Sequence, residues 1–386
     1  MLETGGYWIL LSGFCFLVFL YPYIIYPFVL RALPRRPYIP EEGFETKNSA
    51  AEATLLFCAY NEEQALPAKL ENLRELKQKI SKLKILAYSD CSDDATNELL
   101  CAASDILTPV IGETRIGKVL GMQKLVSMTD ADIVIFTDAN VIVDPDGLQR
   151  LIRYFDNPEI GSVAGTLFYI DDIKEARTAT ARVGGLYWRL EEYIKQLESE
   201  TGSTMGADGA IFARRRNGYP QIKADLVDDM AASLSVLFDG SRCVSAPDVQ
   251  AFECSVSSSS EEFRRKRRIA CGSYSTYRYF GDQIGKLSLT DRFKFISHKI
   301  LRWWGALFLI EALVFFLVGS TTLGYGTQAL TAVTVSIALF WSLGAFGLPL
   351  ISPLYEVARA VVATGVGVLE SIVGRSYQTW NPAKTR

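Results

Sequence analysis

Histidine occurs once in this chain, at His298, and the seven cysteines include no pair at a bonding or metal-ligating spacing. His298, set among apolar and basic residues, is expected to make a structural hydrogen bond rather than to run acid–base chemistry. The cysteines, with Cys15 inside an apolar stretch, read as structural thiols of a reducing compartment. A basic excess is also missing. The formal net charge is -3 and no basic stripe carries interleaved aromatics, which excludes nucleic acid as a partner. Charge of either sign vanishes from Gly5 to Leu30 and again from Ala312 to Tyr355. The first of these runs is too long for the apolar core of a signal peptide, and no small-residue cleavage site follows it.

These uncharged runs are long enough to cross a ~30 Å hydrocarbon layer at ~1.5 Å per helical residue. Helices are expected over about 7–29, 304–324 and 327–349, the last two hinged near Gly324-Tyr-Gly-Thr327. Arg31, Arg35 and Arg36 follow the first, and Lys294, Lys299 and Arg302 precede the second, so both flanks are assigned to the cytoplasm. The expected division is an N-terminal crossing at 1–30, a cytoplasmic domain at 31–290 and an interfacial helix at 291–303. Two crossings at 304–350 follow, then an interfacial helix and cytoplasmic tail at 351–386. The segment 354–373 is apolar but carries Glu356, Arg359 and Glu370, which places it in the interface.

Within the polar region, Ile133 to Phe136 is a run of β-branched and aromatic residues that fits a strand covered on both faces. Asp138 stands at its carboxyl end, where open α/β sheets bind ligands. Asp138 and Asn140 project to the same side of an extended segment and offer hard oxygens of the kind Mg²⁺ or Mn²⁺ accept. Turn chemistry is the plainer alternative. Further strands are expected at Ala53–Cys58, Lys84–Tyr88 and Ile106–Ile111, alternating with helices as in an α/β, parallel, doubly wound sheet. Its strand ends would bring Tyr60 and Glu62, Asp90, Lys118, and Asp138 with Asn140 to one crevice. Gly112 to Val119 fits a P-loop except at Val119, which cannot hold a metal ion, so Lys118 remains as a point charge for a diphosphate.

A helix is expected from about Lys174 to Gln196, with Trp188 and Tyr193 in the core or lining a groove. The glycine-dense Gly202-Ser-Thr-Met-Gly206-Ala207-Asp208-Gly209 would let backbone approach a ligand closely. Asp228-Asp229, just ahead of a helical pattern, reads equally as helix capping or as a catalytic base. Ser258-Ser-Ser-Glu261-Glu262 opens another helix as a capping box. That helix carries Arg264 to Arg268, and Arg265 and Arg268 share one face, where guanidinium groups could take a pyrophosphate bidentately.

Together these residues resemble the family 2 glycosyltransferases of the membrane-embedded cellulose, hyaluronan and poly-N-acetylglucosamine synthase type. Asp90 matches the family's nucleotide-binding Asp, and Asp138-Ala139-Asn140 its Asp-x-Asp metal motif with Asn in the last place. Asp228-Asp229 stands where the family has an acidic pair containing the base. Arg265-Lys-Arg-Arg268-Ile269 stands where it has Gln-x-x-Arg-Trp, keeping only the arginine. Gly206-Ala207-Asp208-Gly209 is similar to its acceptor loop, Ser297 to Trp303 to its approach to the membrane helices, and Trp380-Asn-Pro382 to its C-terminal tail. The resemblance implies a GT-A-like doubly wound sheet in the cytoplasm of a bacterial-type inner membrane, beside transmembrane and interfacial helices. It also implies a UDP-sugar donor, Mg²⁺ or Mn²⁺ at Asp138 and Asn140, and a glycan or lipid-linked acceptor. Asp229 inherits the base role, Asp228 stands beside it, and Tyr60, Glu62, Asp90, Lys118, Arg265 and Arg268 inherit donor binding. Glu311, costly inside a crossing, is a candidate for the acceptor path or a headgroup-level residue. Other readings are a transferase adding one sugar to a polyprenyl phosphate or lipid-linked acceptor, and a non-catalytic nucleotide-sugar-binding membrane protein.

Overall fold

The computed structural model describes residues 2–38, 52–170, 179–254, 259–348 and 351–379. The expected helix start near Lys174, Ser258 of the capping box and the tail residues Trp380 to Pro382 lie outside these. Eight strands form one sheet: β1 (Ala53–Ala59), β2 (Lys84–Ser89), β3 (Thr108–Ile111), β4 (Ile133–Thr137), β5 (Ile142–Val143), β6 (Ile160–Ile170), β7 (Ile211–Arg215) and β8 (Arg242–Cys254). Their spatial order is β3-β2-β1-β4-β7-β6-β8-β5.

β1 and β4 are buried along their whole length, as their unbroken apolar runs dictate. Alternate residues face opposite layers. Leu55, Phe57, Ile133 and Ile135 pack with Leu66, Leu70 and Leu73 of the helix Leu66–Lys79 and with Leu148 and Leu151 of Pro145–Arg153. Leu56, Cys58, Val134 and Phe136 pack with Met122 and Leu125 of the helix Lys118–Ser127 on the other side. Each fully buried leucine or phenylalanine contributes roughly 1.5–3 kcal/mol, so this two-sided core fixes the strand register firmly.

The parallel reading holds for β3, β2, β1 and β4, but the sheet as a whole is mixed. β7 runs antiparallel to both β4 and β6. A parallel strand needs a crossover from the opposite end of the sheet. β7 instead enters from the glycine-dense turn at the same end where β4 exits, and Thr137 pairs with Ile211. That register sets the 206–209 loop beside Asp138.

The single crossing expected at 7–29 is broken. The helix Leu2–Leu20 gives way to Ile25–Ala32, with a 62° bend between Thr4–Leu20 and the second piece. Pro22 lies in the break, where its ring and missing N–H interrupt the helical ladder. Two further helices, Gly305–Thr322 and Gly326–Ala345, are long and apolar enough to cross a membrane, and the bent pair makes a third if it counts as one span. Gly324, at φ +89, makes the turn between those two. The first helix lies antiparallel against Gly305–Thr322: Trp8 stacks on Phe315, and the Ser12 hydroxyl donates to the Ala312 carbonyl at 2.7 Å. The helix Ser352–Ile372 packs along Ser259–Tyr279 instead. A Cβ at Gly367 would sit 2.3 Å from the Arg267 carbonyl oxygen, so that contact requires glycine.

Candidate active site

Asp90 leaves the end of β2 fully buried. Its carboxylate accepts the backbone N–H groups of Ile116 at 2.7 Å and Gly117 at 3.0 Å, while the Arg115 guanidinium stands 3.8 Å away. Gly117 has φ +87, a conformation an L side chain would resist. The Arg115 guanidinium lies over the Tyr60 ring at 3.5 Å, making a flat wall beside the loop. Asn61, itself at φ +52, donates to the Asp93 carboxylate and accepts the Asp93 N–H at 3.0 Å, tying the ends of β1 and β2 together. The Glu62 N–H donates to the Thr96 hydroxyl at 2.9 Å.

Lys118, at the first turn of its helix, donates to Asp138 at 2.6 Å and stands 3.6 Å from Asp228. Burial opposes its charge, but the carboxylates of Asp138 and Asp228 outweigh that and hold the ammonium protonated above its usual range. Through the Gly117 N–H on Asp90 and the Lys118 ammonium between Asp138 and Asp228, four separate chain segments meet here. Asp229 is the next residue on the helix Asp228–Phe238, and its carboxylate accepts the Met230 N–H. Burial first, and then the neighbouring Asp228 charge, push Asp229 up to about 7, although Lys118 pulls the other way. A Cβ at Gly209 would lie 2.8 Å from the Asp229 carboxylate, so any side chain there would push that carboxylate out of place. Asp229 thus accepts a first-turn N–H of its helix while its carboxyl is held above the usual carboxylate range. Asp228 has one buried oxygen, Oδ2, with no hydrogen-bond donor among the described residues.

Asn140 donates its amide to Glu253 on β8 at 2.7 Å, which leaves the amide oxygen as the atom that could take a metal ion. Among the described residues no group of three or more His, Cys, Asp or Glu is arranged to hold a metal ion. The donor set of Asp138 and Asn140 still fits Mg²⁺ or Mn²⁺, which commonly take one or two protein oxygens and complete their shell with substrate phosphates and water. Beneath this turn the Lys69 ammonium, fully buried, donates to the Val141 carbonyl at 2.6 Å and the Thr137 hydroxyl at 3.3 Å. Burial lowers Lys69 to about 7, against the pull of Asp138.

Asp208 pairs with the Lys195 ammonium, which also holds Glu192 and lies 5.2 Å from the Trp188 ring. Trp188 packs on the sheet core, as the first of its two expected readings has it, with the Lys195 ammonium over its ring. Tyr193 lies elsewhere, under the Arg31 guanidinium. The two arginines expected to share one helical face differ in their surroundings. Arg265 directs its guanidinium to the Tyr169 hydroxyl at 3.3 Å and to Glu262, whereas Arg268 is exposed. The helix sets the partly exposed Arg267 in a bidentate pair with Glu370 instead.

Lys69, Arg115, Lys195 and Glu253 escaped the sequence reading. Lys69 and Asn72 fall on the same buried face as Leu66, Leu70, Leu73 and Leu76, and polar residues on an apolar stripe were the available signal. Arg115 sat inside the discarded P-loop match. Nothing local marks Glu253, because its partner is 113 residues away. The tail also reaches the site: a Cβ at Gly117 would meet the Gln378 carbonyl oxygen at 2.2 Å.

No curated protein matches the chain. Among solved structures, mannosyltransferase PcManGT from Pyrobaculum calidifontis, in complex with GDP-Man and Mn²⁺, aligns over 94% of this chain and 99% of its own, with 17% identity and a TM-score of 0.68. Glucosyl-3-phosphoglycerate synthase from Mycobacterium tuberculosis aligns over 64% of this chain and 87% of its own, with 16% identity and a TM-score of 0.43. The first likeness extends over nearly the whole chain, and the mixed α/β sheet is consistent with a GT-A fold, with the apolar helices standing beside it. Residues 54–222, which hold β1 to β7 and the crevice up to Gly209, match Glycosyl transferase family 2, so the chain carries a domain of that glycosyltransferase family.

Proposed function

We propose that this chain is an inverting, metal-dependent glycosyltransferase that moves a sugar from a UDP-sugar to a hydroxyl of a growing polysaccharide or membrane-linked glycan. The observation that carries the reading is Asp229, raised to about 7 and closed in by Gly209. A hydroxyl acceptor needs a base, whereas a phosphate acceptor is already ionised and would be repelled by Asp208, Asp228 and Asp229. A general base poised near the working pH contributes typically ~10²–10⁴-fold.

In this reading Tyr60, Glu62, Asp90 and the loop it holds, with Arg115, form the nucleoside pocket, and Asp90 is the residue that reads the base. Asp138 and Asn140 hold Mg²⁺ or Mn²⁺, which when bound supplies Lewis-acid stabilisation of the leaving diphosphate. Lys118 adds a fixed positive charge on the same side, and Arg265 and Arg268 stand further out. The 206–209 loop presents the acceptor hydroxyl. Asp229 takes its proton as the acceptor oxygen bonds to the anomeric carbon, and the bond from that carbon to the diphosphate breaks with UDP leaving. No side chain is assigned as a nucleophile behind the sugar, so the displacement is direct and inverts the anomeric centre. The catalytic domain faces the cytoplasm from an integral membrane anchor.

A panel of radiolabelled UDP-sugars and GDP-mannose with detergent-solubilised protein and Mn²⁺ tests this. Release of the nucleoside diphosphate is expected for one donor. Asp229→Asn should bind that donor with unchanged affinity and lose ~10²-fold or more in turnover. Near-wild-type turnover in Asp229→Asn would remove the base assignment. The absence of Gln and Trp from Arg265–Ile269 favours a second reading, addition of a single sugar to a lipid-linked acceptor. Product sizing separates the two, as a ladder or a single step.

A further inference from the structure

Glu198 is fully buried near the end of the helix Ala179–Glu200, and its two carboxylate oxygens serve different parts of the molecule. Oε1 accepts the Tyr26 hydroxyl at 2.6 Å and faces Nδ1 of His298 at 2.8 Å. Oε2 accepts the Thr204 hydroxyl at 3.0 Å and the Met205 backbone N–H at 3.2 Å. Tyr26 belongs to the short helix after the bend in the first apolar segment. His298 sits on the π-helical turn Ile296–Ile300, which leads into the helix Gly305–Thr322. Thr204 and Met205 open directly into Gly206–Gly209. One side chain therefore joins both membrane-approaching segments to the loop that closes on Asp229.

The charges around it hold that joint together. Nε2 of His298 faces Glu191 at 2.7 Å, so the ring bridges two buried carboxylates, Glu198 on one side and Glu191 on the other. Burial alone would raise Glu198 and Glu191. Contacts with His298 and Tyr26 outweigh burial for Glu198, and Arg302 followed by His298 does so for Glu191, so both carboxyls lie below the usual range. The Lys294 ammonium donates to the carbonyls of Glu198 at 2.8 Å and Ser203 at 3.2 Å, pinning the same corner. Apolar side chains would pack these helices at least as well as buried ions do, so what the network adds is a fixed geometry. π-helical turns recur at functional positions because they re-aim single side chains, here His298.

This inference rests on the glycosyltransferase reading above. We propose that Glu198 and His298 are positioning residues that hold the 203–209 loop in register with Asp229 from the membrane side, so that the acceptor side of the site depends on how the bilayer-entering helices are seated. The donor side, built from β1, β2 and β4, is outside this linkage.

The test uses the full-length protein in nanodiscs, with Tyr26→Phe and Thr204→Val, each removing one donor without changing charge, beside His298→Gln. Hydrogen exchange is followed by mass spectrometry in the peptides covering 201–209 and 86–94. Exchange in 201–209 should accelerate by about tenfold or more in each variant, while the Asp90 strand keeps its wild-type rate. In donor turnover kcat should fall by about tenfold with donor KM within about twofold of wild type. Unchanged exchange in 201–209 would overturn the proposal, as would acceleration spread equally over both peptides or a rise in donor KM without loss of kcat. If His298→Gln fails to fold, the two neutral variants decide the matter. A wild-type protein that releases no nucleoside diphosphate from any donor overturns the enzymatic reading instead, and the exchange comparison still judges the linkage on its own.

Discussion

The carboxyl of Asp229, pushed up to about 7, changes charge in the range where the protein works. A base must be ionised to accept a proton, so transfer should rise with pH through about 7 and level off above it. Part of that shift comes from the Asp228 charge, and Asp228→Asn should move the rising limb to lower pH. An unmoved limb would show that Asp228 does not act on the base electrostatically. The same shift has a stability cost of definite sign. An acid whose folded pKa is raised keeps its proton in the native state after the unfolded chain has lost it, so stability falls as pH rises through the folded value. Asp229→Asn removes that penalty. Its melting temperature at pH 8 should exceed wild type, by ~2–4 °C for each kcal/mol recovered, while turnover collapses. Residues such as Asp90, Asp138, Asp228 and Asp229 were legible in the sequence because each follows a buried apolar run or opens a helix, where local pattern announces a polar end. Lys69, Glu253 and Glu198 were not legible, because each acquires its role only through a partner brought near by the fold.

At the scale of elements, the turn that carries Asp138 and Asn140 is held from below by the helix Leu66–Lys79. Lys69 fixes the Val141 carbonyl, and Asn72 both donates to the Val143 carbonyl at 2.8 Å and accepts its N–H at 2.9 Å. Second-layer contacts of this kind typically change metal affinity by ~10–100-fold when removed. Lys69→Met, which keeps the length and apolar stem, should therefore weaken Mn²⁺-dependent UDP binding by about tenfold in calorimetry while leaving metal-free nucleotide affinity nearly unchanged. An equal loss with and without Mn²⁺ would place Lys69 in general folding rather than under the turn that carries Asp138 and Asn140. Strands β1, β2 and β4 could be read from composition because both faces are apolar. The reversed direction of β7 could not, since direction depends on which end of the sheet the chain re-enters. The kink at Pro22 was written in the sequence, but an uncharged run of that length outweighed it in the expected straight crossing.

For the whole molecule, the antiparallel pairing of the first helix with Gly305–Thr322 has a topological consequence. Ile9 meets Gly319, Ser12 meets Ala312 and Phe19 meets Gly305, so residues that rise along one helix descend along the other. The basic flanks Arg31 to Arg36 and Lys294 to Arg302 therefore emerge at the same end, where Tyr21 lies 3.3 Å from Ser297. Lys and Arg flanks favour the cytoplasmic side, so both flanks and the sheet they attach to should face inward. The chain carries its own reporters for this. Cys91, Cys101 and Cys254 are exposed on the sheet domain, whereas Cys15, Cys58, Cys243 and Cys271 are buried. A membrane-impermeant maleimide applied to intact bacterial cells expressing the protein should leave these exposed thiols unmodified, and the same reagent on inside-out vesicles should label them. Labelling in intact cells would put the sheet domain on the outer face, away from any cytoplasmic nucleotide-sugar pool, and the proposed donor chemistry would lose its substrate.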